Sequence, residues 1–264
     1  MSDAPVEVSR DGAVATITLN RPSALNALDL AMVDALIPAV AGVAAEASVR
    51  VVVVRGAGAH FMAGGDIRTF ARELDRPSGE RTSEFTHLVE RVHIVVETIA
   101  RMDQPVVARV HGAVAGFGMS LMNACDLAIA SDDAYFAAGY RQIGITPDGG
   151  GTYSLPRLVG QRRALEILLL GGRFDAAQAL ALGLVNRVVP GAELDAAVAA
   201  VAKTLADGPR RALAATKRLV RQSFDRSLSE QLLAEAKSFG TLAGGDEFVE
   251  GVNAFLGKRP AKFP

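Results

Sequence analysis

Residues 51–66 read Val51-Val52-Val53-Val54-Arg55-Gly56-Ala57-Gly58-Ala59-His60-Phe61-Met62-Ala63-Gly64-Gly65-Asp66. Four consecutive valines offer no polar face, so they suit a strand buried on both sides of a parallel sheet. The Gly/Ala stretch after them lets backbone approach a ligand closely. Asp66 is a good N-cap for a short helix. The same order recurs downstream, with Val106–Val110 as strand, His111–Gly118 as Gly-rich loop and Met119–Ala124 as helix. Each loop delivers unpaired N–H groups at a helix start, where developing negative charge is stabilised. Two such loops predict an α/β fold and a paired-donor site.

Working outward, Val6-Glu7-Val8 and Val14–Leu19 read as a hairpin about Asp11-Gly12. A helix follows with Leu30, Val33, Leu36, Ile37, Val40 and Val43 on one stripe, although Pro38 removes one of its hydrogen bonds. Residues 75–83 are charged and turn-rich and predict a mobile loop before a helix over 83–102 that buries Phe85, Leu88, Val92, Val95, Ile99 and Met102. Short strands are expected at Leu127–Ala130 and Ala134–Ala137. Asp175 to Gln178 has the form of a capping box, with Gly183 closing that helix. From about residue 192 the pattern is helical, which divides the chain into a core over 1–190 and a helical region over 191–264.

The chain has 264 residues, 50% of them hydrophobic and 5% aromatic. Lys+Arg of 28 against Asp+Glu of 29 gives a net charge of −1, which argues against a dedicated nucleic-acid or anionic-membrane binder. One cysteine, Cys125, can form neither an intramolecular disulfide nor a thiolate metal cage. With a polar N-terminus and no run of about 18 apolar residues, a cytoplasmic location is expected. No metal is expected, since His60, His87, His93 and His111 lack ligand spacing. There is no phosphate-binding G-x-x-x-x-G-K-[ST] loop, and Leu121 stands where G-x-G-x-x-G needs its third glycine. Gly118-Met119-Ser120-Leu121-Met122 falls one glycine short of a nucleophile elbow. The basic residues Arg210, Arg211, Lys217, Arg218 and Arg221 read as a solvated helix face.

His60-Phe61-Met62-Ala63-Gly64-Gly65-Asp66-Ile67 and His111-Gly112-Ala113-Val114-Ala115-Gly116-Phe117-Gly118 resemble the two oxyanion-hole segments of the crotonase (enoyl-CoA hydratase/isomerase) superfamily. Asn20-Arg21-Pro22 with Ala24–Leu28, Cys125-Asp126-Leu127-Ala128, Gly183-Leu184-Val185 and Ala254–Arg259 fit the same family in order, so the resemblance covers essentially the whole chain. It implies a crotonase/ClpP-like spiral of ββα units, a helical C-terminal trimerisation region and a homotrimer or dimer of trimers. It implies an acyl-CoA substrate, with coenzyme A as part of the substrate and no separate cofactor. By position, the thioester oxygen would accept hydrogen bonds from the Gly65 and Phe117 amides. CoA would lie along Ala24, Ala63, Gly64, Asp66 and Ile67, with Phe255 and Lys258 contributed by a neighbouring subunit.

The departures from the family pattern are as informative. Hydratases use two glutamates, which the pattern places at Ser120 and Tyr140; neither residue is a carboxylate base, so the pair is expected to line the acyl pocket. Gly144–Thr152, which contains Asp148, resembles the ring-1,2-epoxyphenylacetyl-CoA isomerases, implying Asp148 as the acid/base of an isomerase acting on an unsaturated or ring-epoxide acyl-CoA. Read on its own, Pro147-Asp148-Gly149 is a turn whose aspartate caps the next helix. Residues 153–164 are also similar to 4-chlorobenzoyl-CoA dehalogenase, which implies an alternative with Asp148 as nucleophile and His93 as water-activating base. His93 itself lies on a stripe with Val89, Val96 and Ala100 and reads as a core histidine. A non-catalytic CoA- or RNA-binding module is the remaining alternative, and the net charge of −1 gives RNA no support.

Overall fold

The computed structural model describes residues 4–264. The chain begins with a hairpin, β1 (Val6–Asp11) and β2 (Val14–Leu19), followed by α1 (Leu30–Ala45), β3 (Val51–Gly56), α2 (Ile67–Ala71), α3 (Ser78–Arg101) and β4 (Val106–Val110). It continues through β5 (Ala113–Ala115), α4 (Phe117–Ala124), β6 (Leu127–Ser131), β7 (Tyr135–Ala137), α5 (Gly151–Val159), α6 (Gln161–Leu170), β8 (Phe174–Asp175), α7 (Ala176–Ala181) and β9 (Arg187–Val189). Four helices close it: α8 (Leu194–Ala206), α9 (Arg210–Gln222), α10 (Leu228–Ala243) and α11 (Asp246–Leu256).

One sheet has the order β1-β2-β3-β4-β6-β9, antiparallel only at β1–β2, and a second has the order β5-β7-β8. Strand alternation explains the valine run at the centre. Val52 and Val54 join the main core, while Val51 and Val53 join a second cluster with Val107, Ile129, Leu194 and Val198, where α8 covers the opposite face. Both faces are apolar because both are covered.

Several local expectations hold. Asp66 caps α2 by accepting from Arg68 N, and Asp175 with Gln178 forms a capping box, with Gly183 following at a left-handed φ of 75°. α1 runs through Pro38 and buries Val33, Leu36, Val40 and Val43.

Other expectations are corrected. The hairpin turn is Gly12-Ala13, because Asp11 pairs with Val14 and the positive φ of 54° falls at Gly12. Residues 78–83 belong to α3. Pro77 precedes the first turn, Arg81 N–H reaches Pro77 O, and Glu80 complements the helix's positive end, so the loop shrinks to about 72–77. The segment 111–118 holds a strand, β5, because it pairs with β7, and α4 starts at Phe117. The basic residues of α9 are a solvated face only in part: Arg211 and Arg218 are exposed, whereas Lys217 and Arg221 turn inward. Lys217 Nζ lies 2.8 Å from Asp126 and donates to Ile99 O and Gln104 O, and Arg221 donates to Asp126 and Ala124 O, so the helix is tied to the core by its charges.

Candidate active site

Beyond β3 the chain folds back on itself. Asn26, fully buried, donates from one amide nitrogen to Ala57 O and His60 O at 2.9 and 2.7 Å, pinning the loop. The loop then runs beside two segments at once. Met62 bridges Val114, through Met62 N to Ala113 O and Ala115 N to Met62 O. Leu28 bridges Gly65, through Leu28 N to Gly64 O and Asp66 N to Leu28 O. In that parallel pattern both bonds use the residues flanking Gly65, so the Gly65 N–H itself has no acceptor among the described residues.

The second loop ends the same way. Gly116, at φ 50°, donates to Ala137 O and opens α4, which leaves Phe117 as first helical residue with an N–H that has no acceptor among the described residues. A Cβ at Gly64 would stand 3.1 Å from Ala115 O and 3.5 Å from Gly116 Cα, so the two loops touch. The structure therefore brings two free main-chain donors onto adjoining segments.

Asp148 lies on the turn between β7 and α5. Gly149, at φ 56°, packs so tightly that a Cβ there would stand 2.8 Å from the Phe117 ring and 2.9 Å from Ser120 Cβ. The turn is thus seated on the helix that carries one of the free donors. Asp148 is not a cap: the N-cap of α5 is Gly150, with no side-chain cap bond, and the Asp148 carboxylate accepts instead from the Tyr140 hydroxyl at 2.6 Å. Ser120 Oγ donates to the Asp148 carbonyl oxygen at 2.9 Å and lies 3.3 Å from the Tyr140 oxygen. The two positions where the family pattern expects carboxylates are occupied by hydroxyls that hold Asp148, Tyr140 by its carboxylate and Ser120 by its main-chain carbonyl.

Burial pushes the Asp148 carboxyl above the usual aspartate range, opposed by the Tyr140 hydrogen bond and by the nearby His93. Burial and the adjacent Asp148 also push the Tyr140 phenol upward, so it stays a donor. His93 is exposed, not a core histidine. It stands on the edge of α3, where its Nε2 accepts from Gly149 N–H at 3.3 Å. A buried carboxylate on a turn packed against Phe117 can remove an acidic proton, and free main-chain amides can receive the charge that develops.

Of the other expected residues, Ala24, Ala63, Gly64, Asp66 and Ile67 form one strip, because Ala63 N bonds Leu25 O where 24–28 and 63–66 run side by side. Asp66 pairs with Arg21 at 2.9 Å, which lowers its pKa against the cost of burial, and Ile67 is exposed. Phe255 and Lys258 lie elsewhere in the same chain. Phe255, 84% exposed, borders an apolar groove of about 470 Å³ with Phe239 and Phe248, and Lys258 follows the end of α11. Sequence reasoning gave no role to Arg21, which also pairs with Asp29 at 3.0 Å, and missed Phe70, whose ring lies on Gly65. Among the described residues no cluster of His, Cys, Asp and Glu is arranged to hold a metal, and no helix is long and apolar enough to cross a membrane.

The family model for enoyl-CoA hydratase/isomerase matches residues 9–264. The chain belongs to the enoyl-CoA hydratase/isomerase family. It is 37% identical over 250 residues to a Rhodobacter capsulatus protein named probable enoyl-CoA hydratase, covering 95% of this chain and 94% of that one. It is 34% identical over 252 residues to the 1,2-epoxyphenylacetyl-CoA isomerase of Escherichia coli, with 95% and 94% covered. The crystal structure of a Mycobacterium smegmatis enoyl-CoA hydratase superposes with a TM-score of 0.91 at 35% identity, covering 98% of each chain. The fold is therefore the crotonase fold that the family resemblance implied.

Proposed function

We propose that this member of the enoyl-CoA hydratase/isomerase family is an acyl-CoA isomerase in which Asp148 moves the proton. The observation that carries this reading is the buried Asp148 carboxylate, held by Tyr140 at 2.6 Å on a turn seated against Phe117. The Gly65 and Phe117 amides would receive the thioester oxygen, and CoA would follow the strip from Ala24 to Ile67. Phe255 and Lys258 would reach it from a neighbouring copy in a homotrimer or a pair of trimers. No separate cofactor enters the reaction.

With a 3-enoyl-CoA, Asp148 takes a proton from C2 and the C–H electrons form an enolate whose negative oxygen lies on the two amides. The carboxylic acid then returns the proton at C4; the thioester carbonyl re-forms, a C2–C3 double bond appears and the C3–C4 double bond is lost. Ring-epoxide acyl-CoAs make the same demand on the oxyanion donors. Hydration needs a second group to activate water, and Ser120 and Tyr140 are committed to Asp148. The dehalogenase alternative needs the His93 Nε2 lone pair, which receives Gly149 N–H.

The test is growth of conjugated-thioester absorbance from a 3-enoyl-CoA. The wild type is expected to show it, and Asp148→Asn to lower its rate by about 10²–10⁴-fold. Full activity in Asp148→Asn would end the assignment, and rapid bleaching of crotonyl-CoA by the wild type would make the enzyme a hydratase.

A further inference from the structure

Helix α3 passes along both ends of the proposed site. At one end Phe85 meets Phe70 of α2 edge to face, with ring centroids 5.1 Å apart and planes at 86°. At the other, His93 accepts from Gly149 N–H and Val96 lies against Gly150. Eight residues separate Phe85 from His93, about 12 Å of helix rise. Phe70 packs against the α-carbon of Gly65, the residue that carries the first of the free donors. A Cβ built at Gly65 would stand 2.5, 3.1 and 3.3 Å from three atoms of the Phe70 ring, and no other residue supplies a nearer atom.

These rings are not ordinary core residues. Both are only half-buried, and α2 buries none of its residues fully. Two large apolar rings packed edge to face thus stand partly exposed at Gly65, one of them directly against it.

We propose that Phe70, braced by Phe85, is the specificity-determining residue of the acyl site. It closes the Gly65 end, so that short or compact acyl groups are accepted and long unbranched chains are excluded. This rests on the reading that the Gly65 amide receives the thioester oxygen. Recession toward α3 would displace Phe85, so on that side the ring acts as a wall rather than a yielding surface.

The experiment measures equilibrium binding of free CoA, butanoyl-CoA and dodecanoyl-CoA to the wild type, Phe70→Ala and Phe85→Leu. Binding is read without turnover, so the result does not depend on Asp148. The wild type is expected to favour butanoyl-CoA. Phe70→Ala is expected to tighten dodecanoyl-CoA by about tenfold and to leave butanoyl-CoA within about twofold, as a change of pocket volume should. Phe85→Leu should move the same way by a smaller factor, and it carries the test if Phe70→Ala does not fold. Equal shifts for both thioesters, or weaker dodecanoyl-CoA binding in either variant, would overturn the proposal. If the wild type instead bound free CoA and both thioesters alike, the thioester reading itself would fail, and the two failures are thereby distinct.

Discussion

Asp126 and Asp148 are two partly buried aspartates placed in opposite ways. Asp126 stands between two cations, Lys217 at 2.8 Å and Arg221 at 2.7 Å, and also accepts from Val106 N–H at 2.8 Å. Asp148 has no cation in ion-pair contact, and Tyr140 is the only side chain among the described residues that donates to it. Neutralised on all sides, a carboxylate fastens one part of a fold to another. Buried with one side-chain donor and no cation in contact, it binds its proton more tightly and becomes a better base. The same residue type is a fastening at the α4–β6 junction and a reagent on the turn before α5, and neighbouring charge makes the difference.

The comparison breaks most visibly at Asp126. Asp126→Ala leaves Lys217 buried without its partner and should cost about 3–5 kcal/mol of stability, seen as a fall in denaturation midpoint. A loss below about 1 kcal/mol would mean that α9 is held by apolar contacts instead. Asp148→Asn should do the reverse. An acid whose folded pKa is raised costs stability as pH rises through the range between its unfolded and folded values. At neutral pH the neutral amide should therefore melt no lower than the wild type while turnover collapses; a clear loss of midpoint would show that Asp148 is a structural residue.

Tyr140→Phe sharpens the contrast. The phenol favours the charged form of Asp148, so removing it raises the carboxyl further, and the acid limb of the pH–rate profile should move to higher pH. A limb that stays in place would place the titrating group elsewhere. The smallest effect is expected at His93. Leu there removes the acceptor for Gly149 N–H, worth about 1 kcal/mol or roughly a fivefold change in rate, and Gln should restore most of it. Abolished turnover in both variants, or chloride release from a haloaryl-CoA, would return His93 to the chemistry.

Much of this architecture is legible in the sequence. Local signals were enough for the valine strand, the two glycine loops and the caps at Asp66 and Asp175, because each depends on neighbours within a few residues. Positions that depend on distant partners were not legible. Lys217 and Arg221 look like part of a wet face, since periodicity reports which side of a helix is charged but not that Asp126 waits 95 residues away from Arg221. The Pro-Asp-Gly turn hides the Tyr140 contact, because turn chemistry explains an aspartate there without it. Phe70 went unnoticed because a five-residue helix carries no periodicity to mark its face.

The doubly covered valine strand has a cost in addressing. Moving β3 by one residue against its neighbours would trade Val51 and Val53 for Val52 and Val54 between two apolar clusters, so the four valines by themselves do not choose the frame. What chooses it is the end of the strand. Arg55 must reach Thr18 Oγ1 at 3.1 Å, and the next position must lack a side chain, since a Cβ at Gly56 would fall 2.1 Å from His60 O. One glycine thus works as a locating key, and by fixing where β3 stops it fixes where the Gly65 amide emerges.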